Sequence, residues 1–208
     1  MVDEDGRKIH QEGNARQAYC LDGVLDARQS NARVYEETAR GLVREVVGVG
    51  VNATVFAYGQ TSSGKTHTMR GTAEDPGVIP RAVEEVFALV GEGRGSGDAS
   101  SSIAVSVSYM EIYNEEIRDL LAEGDRRGLA LGIGSRQDGG MVVQGLQEVV
   151  VNGAEEAIGL LDRGDAQRRV GETRMNARSS RSHAIFRMRV SRSSEGERGR
   201  EGRGGRGG

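Results

Sequence analysis

Apolar and polar residues alternate along one stretch of the chain and recur at helical spacing along another. From Ile103 to Tyr109 every second residue is apolar and the residues between are small, which predicts a half-buried strand. Between Val34 and Val47, apolar residues recur every three or four positions and charged residues occupy the other face, which predicts an amphipathic helix. Gly48 and Gly50 are expected to end that helix.

Shorter runs of β-branched, aromatic and other apolar residues predict further strands. These strands are expected over Arg7–His10, Ala18–Leu25, Val51–Tyr58, Leu146–Val151 and Ala184–Val190. A hairpin is also predicted, in which Leu129–Ile133 pairs with Met141–Val143 across a Gly/Arg-rich stretch.

Three further helices are predicted between these strands. One begins near Pro80, a short one is capped by Asn114, and a third runs from Ala154 to about Arg163. A Gly/Ser-rich segment over Gly91–Ser102 is expected to be a linker without order. Alternation of strands and helices predicts an α/β fold in which helices cover a sheet.

The segment Gly59-Gln60-Thr61-Ser62-Ser63-Gly64-Lys65-Thr66 follows one of the predicted strands and matches the pattern G-x-x-x-x-G-K-[ST]. Glycines of this pattern let backbone N–H groups close around phosphate oxygens, the lysine reaches the β- and γ-phosphates, and the threonine hydroxyl ligates Mg²⁺. A helix that begins at Lys65 would favour the same anion through its dipole. The alternative is a glycine turn beside a strand, but a chance match in a chain of this composition has a probability of about 0.5%.

Lysine usage supports the same interpretation. Of the 28 basic residues, only Lys8 and Lys65 are lysines, so the composition strongly favours arginine. A lysine nevertheless stands where a compact point charge must reach a phosphate.

The composition limits the classes of function that the chain can have. Its net charge of −3 gives no argument for a nucleic-acid or membrane partner. With 36% hydrophobic and 4% aromatic residues, the core is expected to consist mainly of Val, Leu, Ile and Ala. The single cysteine, Cys20, is predicted to be a small core residue, and it excludes an intramolecular disulfide. No apolar run approaches 18 residues and no signal peptide follows Met1, so a cytosolic location is expected.

A second unusual stretch, Asn176-Ala177-Arg178-Ser179-Ser180-Arg181-Ser182-His183, lies between a predicted helix and a predicted strand. Taken alone it fits an exposed loop, since hydroxyl and arginine clusters are common in loops. Together with a phosphate loop it fits a segment that senses the γ-phosphate through hydroxyl groups and Mg²⁺.

These two stretches resemble those of kinesin motor domains. Phe56–Met69 is similar to the kinesin form of the phosphate loop, and Asn176–His183 matches the family's first switch, N-x-x-S-S-R-S-H. Ser108–Asp119 and Gly77–Arg81 resemble two further kinesin signatures. The resemblance runs from about Ala18 to Val190 and implies an α/β P-loop NTPase with a central mixed sheet and helices on both faces.

The resemblance implies a role for each matching residue. Residues that would bind ATP are Gly59, Gln60, Thr61, Ser62, Ser63, Gly64, Lys65, Thr66 and His67, the last of these against adenine. The catalytic residues would be Asn176, Ser179, Ser180 and Arg181, of which the serines sense the γ-phosphate and metal-bound water. Thr66 and Ser180 would ligate Mg²⁺, and Arg181 would pair with an acidic residue of the second switch.

Some expected kinesin segments have no match in the sequence. Neither the R-x-R-P segment of the first strand nor the D-L-A-G-S-E segment of the second switch is found. Residues 1–190 are therefore expected to be an incomplete motor domain, in which Val51–Tyr58 has unpaired edges, and residues 191–208 to be a disordered Gly/Arg-rich tail.

The expected function is that of a cytoplasmic, microtubule-associated motor ATPase with no membrane or nucleic-acid partner. Gln144, Gln147 and Glu148 stand where many kinesins place basic residues, so weakened binding to tubulin is expected. A truncated, non-catalytic nucleotide-binding or interaction fragment without motor activity is the alternative. A third hypothesis is RNA binding through the Arg-Gly units of residues 203–208, which are preceded by several glutamates.

Overall fold

The two longest described strands of the protein form an antiparallel pair in its main sheet. The computed structural model describes residues 7–11, 14–95, 101–122, 133–135, 141–172 and 182–194. The strands are β1 (Lys8–Gln11), β2 (Asn14–Cys20), β3 (Ser101–Tyr113), β4 (Glu116–Asp119), β5 (Ile133–Ser135), β6 (Met141–Val143), β7 (Val149–Val151) and β8 (Ser182–Ser194). The helices are α1 (Asn31–Thr38), α2 (Arg40–Gly48), α3 (Lys65–Met69), α4 (Val78–Gly95) and α5 (Ala154–Glu172).

Strand β3 organises the main sheet because it pairs with β4, β7 and β8. Its pairing with β8 runs from Ser101↔Ser194 to Tyr113↔Ser182 without a register shift. The strand predicted over Ile103–Tyr109 is confirmed and is longer at both ends. The α/β class is confirmed as well, although every pairing among the described strands is antiparallel rather than mixed.

One face of β3 carries the core. Val105, Val107 and Tyr109 point to this face and are at most 4% exposed. They belong to a cluster with valines of α4 and with Ala157 and Leu161 of α5. The prediction of a core built mainly from Val, Leu, Ile and Ala is confirmed for Val, Leu and Ala, whereas the isoleucines of this cluster are only partly buried.

A tight hairpin replaces the short helix that Asn114 is predicted to cap. Asn114 and Glu115 both adopt left-handed backbone angles, with φ of 51° and 63°, and Tyr113 pairs directly with Glu116. Two consecutive residues with positive φ form the type of turn that matches the twist of paired strands. The helix prediction is wrong because strand pairing outweighs the capping pattern here.

The predicted helices exist with different bounds. The helix predicted over Val34–Val47 is two helices, α1 and α2, which meet at Ala39. Helix α4 begins at Val78 and continues to Gly95, and β3 begins at Ser101, so both ends of the linker predicted over Gly91–Ser102 belong to regular elements. Residues 96–100 lie outside the described ranges. Helix α5 extends to Glu172 instead of ending near Arg163.

The strand predicted over Val51–Tyr58 does not form. These residues have no regular secondary structure and pair with no described strand, and the side chains of Phe56 and Tyr58 are 80% and 95% exposed. High β-propensity does not produce a strand without a neighbour to complete its hydrogen bonds. The expectation of unpaired edges in this segment therefore agrees with the structure.

The smaller predicted strands are present with altered limits. Strands β1 and β2 pair with each other, but β2 ends at Cys20 instead of Leu25. Cys20 is exposed, so its assignment to the core is wrong, because it ends a two-stranded sheet that contributes no described residue to the hydrophobic clusters. Strand β6 forms the predicted hairpin, although its described partner is Ile133–Ser135.

The last two described strands along the chain, β7 and β8, also differ in length from the prediction. Strand β7 is confined to Val149–Val151, within the predicted Leu146–Val151. Strand β8 continues to Ser194, four residues into the predicted tail, because Ser191–Ser194 pair with Ser101–Ala104. Residues 195–208, which include the Arg-Gly units, lie outside the described ranges.

Glu85 of α4 joins three elements through its carboxylate. It accepts hydrogen bonds from Tyr35 (2.7 Å), Arg40 (3.2 Å) and Arg44 (2.9 Å), and its side chain is only 14% exposed. Burial raises the pKa of Glu85, but these three hydrogen bonds outweigh burial and lower it below the ordinary value of 4.5. The charged carboxylate therefore stabilises the contact between α4 and the pair α1 and α2.

Replacement of Glu85 by glutamine is expected to lower the free energy of unfolding at pH 7 by about 1–3 kcal/mol. A folded-state pKa below the unfolded one means that this stabilisation is present above pH 4.5 and is lost as the pH falls through the folded-state pKa. Urea titrations of both proteins between pH 7 and pH 3 measure it. The curves should converge at low pH, whereas the exposed neighbour Glu84→Gln should follow the wild type throughout. A constant gap between Glu85→Gln and the wild type would contradict the assignment.

Candidate nucleotide-binding site

The glycine-rich loop forms a tight curl that ends on the first turn of α3. Ser62 and Gly64 both have positive φ, of 65° and 89°, and Gly64 directly precedes the helix. The N–H of Ser63 donates to the carbonyl of Gln60 over 3.3 Å. Backbone that alternates into left-handed angles in this way turns successive N–H groups toward one concave side, which is how such loops bind anions.

Lys65 spans the opening of this loop. Its ammonium donates to the carbonyls of Gly59 (2.7 Å) and Gln60 (2.6 Å). Gly59 has a φ of 157°, which residues with a side chain rarely adopt, and a Cβ atom there would lie 2.5 Å from the hydroxyl of Ser63, so this position favours glycine. Lys65, Gly59 and Ser63 of the pattern thus lie close together in the loop.

Thr66 and His67 lie on the first turns of α3 and are exposed to solvent. No side chain of this five-residue helix is buried, although Met69 packs partly against Tyr35, Ala39 and Val78. The position of the loop therefore depends on polar contacts made by the backbone and the end of α3.

Asn31 makes one of these contacts and was not among the predicted site residues. Its side chain is 3% exposed and donates to the carbonyls of His67 and Asp75, both over 3.1 Å. Its backbone N–H donates to the Asp75 carboxylate over 3.1 Å. The sequence gives only the signal of a helix start at Ser30 and Asn31, which does not reveal that the side chain is turned inward.

The segment after α3 folds back onto the helix at two glycines. A Cβ atom at Gly77 would lie 2.6 Å from backbone atoms of Thr68 and Met69, and one at Gly71 would lie 2.3 Å from the carbonyl of Asp75. The N–H of Gly77 donates to the carbonyl of Arg70 over 3.0 Å. This return places the start of α4, which belongs to the Gly77–Arg81 signature, directly behind the loop helix.

Arg70, at the carboxyl end of α3, joins the loop helix to α5. Its guanidinium donates to Asp165 over 3.1 Å and also forms an ion pair with Asp162. The other oxygen of Asp165 accepts from the Tyr109 hydroxyl over 2.7 Å. Burial of Tyr109, together with its hydrogen bond to the Asp165 carboxylate, raises the pKa of this phenol far above its ordinary value.

One turn further along α5, Arg168 contacts the start of strand β8. It donates to the buried carboxylate of Glu111 (3.3 Å) and to the hydroxyl of Ser182 (3.0 Å). Ser182 is the seventh residue of the second predicted motif, so this end of the motif is fixed to the sheet. The predicted catalytic residues Asn176, Ser179, Ser180 and Arg181 lie outside the described residues.

The residues of the loop fit a nucleotide phosphate with its Mg²⁺. The lysine ammonium is already within the curl, the positive φ at Ser62 and Gly64 opens the backbone toward one side, and the Thr66 hydroxyl is exposed at the helix start. Among the described residues there is no group of three His, Cys, Asp or Glu side chains that could hold a metal ion. The exposed Thr66 hydroxyl is a group of the type that can ligate Mg²⁺ beside phosphate oxygens.

A glycine loop crossed by a lysine at the start of a helix is typical of P-loop nucleotide-binding proteins. The family model for the kinesin motor domain matches residues 2–206. Kinesin-like protein KIN-7L from Oryza sativa subsp. japonica is 46% identical over 197 residues, which cover 93% of this chain and 29% of that protein. Kinesin-like protein KIN-7N from Arabidopsis thaliana is 46% identical over 171 residues, covering 82% and 20%.

A solved structure gives the same result. The structure described as that of a fast kinesin superposes with a TM-score of 0.80 at 34% identity, covering 93% of this chain and 54% of that one. The chain belongs to the kinesin motor-domain family, as the two sequence motifs predict. It spans about half of the solved kinesin and less than a third of these relatives. Across the described residues, none of the helices is long and apolar enough to span a membrane.

Proposed function

We propose that this chain is part of a motor that binds and hydrolyses ATP to move along microtubules. The observation that carries the proposal is the lysine-closed phosphate loop of Gly59–Thr66, in a chain of the kinesin motor-domain family. The solved relative is described by its ATPase mechanism and its interactions with microtubules, which supports the same activity for this chain.

Different residues of the loop bind the phosphates, the Mg²⁺ ion and the adenine. Backbone N–H groups of Gln60, Thr61 and the residues up to Gly64 enclose phosphate oxygens. Lys65 exchanges its carbonyl partners for the β- and γ-phosphates, and Thr66 offers its hydroxyl to Mg²⁺. His67, which is exposed on α3, lies against adenine. The metal ion, when bound, neutralises charge on the β- and γ-phosphates.

The second motif supplies the hydrolytic residues. Ser179 and Ser180 sense the γ-phosphate and orient water, Ser180 also offers a ligand to Mg²⁺, and Asn176 lies nearby. Arg181 pairs with an acidic residue of the second switch when the site closes. The hydrogen bond from Arg168 to Ser182 supports this assignment because it anchors the motif's carboxyl end next to the sheet.

Microtubules are the proposed partner, and the proposed location is the cytoplasm, on the microtubule cytoskeleton. Affinity for tubulin is expected to be weak in this chain. Glu148 contributes a negative charge in a region where basic residues would favour tubulin, and it is engaged by Ser106 (2.7 Å), Arg187 (3.7 Å) and Arg189 (3.4 Å). These contacts neutralise it only in part, because all four groups lie near the surface.

A nucleotide-binding chain without catalysis is the second candidate function. The observation in its favour is that Val51–Tyr58, which leads into the loop, pairs with no described strand. The loop is then supported mainly from the side of α3, which is sufficient for binding but leaves the geometry for hydrolysis less constrained.

Steady-state ATP hydrolysis, measured with and without microtubules, separates the two candidates. A motor is expected to hydrolyse ATP in a Mg²⁺-dependent manner, at a rate that microtubules raise about tenfold or more, which corresponds to a barrier lowered by about 1.4 kcal/mol. The Lys65→Ala chain provides the background rate. Nucleotide binding without turnover above that background would favour the non-catalytic function.

A further inference from the structure

The helix that carries Lys65 has few means of holding its position. It is five residues long and contains no buried side chain. Its described polar anchors are the contact from Asn31 to the His67 carbonyl, the hydrogen bond from the Gly77 N–H to the Arg70 carbonyl, and the ion pairs of Arg70 with α5. Since loop and helix are continuous, a displacement at Arg70 moves the start of α3, where Lys65 and Thr66 lie.

Asp165 gives Arg70 a partner with a fixed orientation. One carboxylate oxygen receives Arg70 and the other receives Tyr109, so the group cannot rotate without losing a hydrogen bond. The side chains of Arg70 and Asp165 are 28% and 18% exposed, which screens their attraction less than at a fully exposed pair. Asp162, which is 59% exposed, adds a second negative charge on the solvent side.

Tyr109 in turn is held from both sides. A Cβ atom at Gly164 would lie 2.2 Å from its ring, so the backbone of α5 lies directly against the ring. Phe186 of β8 meets the ring edge-on, with centroids 5.6 Å apart and planes at 80°. The ring is 4% exposed. Arg70 is thereby linked, through one carboxylate and one phenol, to α5, β3 and β8.

We infer that Arg70 is a positioning residue for the nucleotide site: its ion pair with the Tyr109-oriented carboxylate of Asp165 holds α3 where Lys65 and Thr66 meet the nucleotide phosphates. Arg70 itself does not touch the nucleotide. The inference rests on the proposed function, since it presupposes that the loop binds a Mg²⁺-nucleotide. It adds that affinity depends on a charge pair at the far end of the loop helix.

The test is a double-mutant cycle read out as the dissociation constant of Mg²⁺-ATP for the full chain. Arg70→Met keeps the length of the side chain and removes its charge, and Asp165→Asn keeps the acceptor for Tyr109. Each single variant is expected to bind Mg²⁺-ATP about tenfold more weakly, within the usual range of coupling between sites. The double variant should be no weaker than Arg70→Met, because Asp165→Asn removes an ion pair that Arg70→Met has already removed.

Two further variants distinguish positioning from general stabilisation. Arg70→Lys keeps the charge and should recover affinity to within about threefold of the wild type. Glu85→Gln weakens the hydrogen bonds that the Glu85 carboxylate accepts from α1 and α2, none of which involves α3. It should therefore lower the melting temperature and leave the affinity for Mg²⁺-ATP unchanged within about twofold. All proteins are compared at a temperature where circular dichroism shows them folded.

The outcomes separate this inference from the function beneath it. The positioning role is supported if the wild type binds Mg²⁺-ATP, each single variant loses about tenfold in affinity, and the double variant loses no more. The positioning role alone is overturned if the wild type binds but Arg70→Met has an unchanged dissociation constant. It is also overturned if the losses of affinity add up in the double variant. Absence of Mg²⁺-ATP binding by the folded wild type overturns the proposed function and the inference together.

Discussion

Lys65→Ala is expected to abolish Mg²⁺-dependent ATP binding by this chain. The lysine ammonium lies within the phosphate loop, 2.6 and 2.7 Å from two carbonyls that it can exchange for phosphate oxygens. Removing it takes away one charge-assisted contact to two phosphates and leaves the carbonyls facing an anion. We expect affinity to fall at least about 100-fold, or about 2.7 kcal/mol. Equilibrium titration with a fluorescent ATP analogue measures this loss.

The chain offers a matched control for this experiment. Lys8, its only other lysine, is exposed on β1, outside the loop. Lys8→Ala makes the same chemical change and alters net charge equally, so it should bind nucleotide as the wild type does. Mg²⁺-dependent affinity retained in Lys65→Ala would contradict the role assigned to this lysine, whatever the behaviour of the control.

The free energy of unfolding is expected to fall by about 2–5 kcal/mol in Leu161→Ala. Leu161 is fully buried on the inner face of α5, in the cluster that joins this helix to α4 and β3. Removing its isobutyl group eliminates buried apolar area and leaves a cavity that the valines around it cannot fill. Because a domain of this size is stable by only about 5–15 kcal/mol, this is a large fraction of the total. Urea denaturation followed by circular dichroism measures it.

Leu42→Ala is the matched control for the core prediction. Leu42 lies on α2 and is 38% exposed, so the same chemical deletion removes less buried area and opens no closed cavity. A loss below about 1 kcal/mol is expected there. Equal losses at the two positions would show that α5 is not packed against the sheet in solution as described.

Local pattern was sufficient for those parts of the fold in which one face is buried. The alternation at Ile103–Tyr109 reports the buried face of β3 directly, because Val105, Val107 and Tyr109 all reach the core. The pattern failed where tertiary partners decide. Asn114 has a capping side chain, yet the pairing of Tyr113 with Glu116 places it in a turn. Val51–Tyr58 has strand composition, yet no described strand borders it.

For the site, the sequence was informative about residues that touch the ligand and silent about those that support them. The spacing of Gly59, Gly64 and Lys65 follows from loop geometry, so it can be recognised in a sequence. Asn31 and Asp165 reach the loop helix from 36 and 95 positions away along the chain. Nothing local distinguishes them from other polar helix residues, because their roles arise only when α1, α3 and α5 meet.

Calorimetric titration of the 208-residue chain with ATP is the most direct test of the claim that its phosphate loop is a nucleotide site. If the loop is such a site, one ATP should bind saturably per chain in the presence of Mg²⁺, ADP should compete, and affinity should be lost when EDTA removes the metal. Adenosine, which lacks phosphates, should not compete. A chain that is folded by circular dichroism but shows no saturable Mg²⁺-dependent binding of ATP would contradict the assignment of the phosphate loop as a nucleotide site.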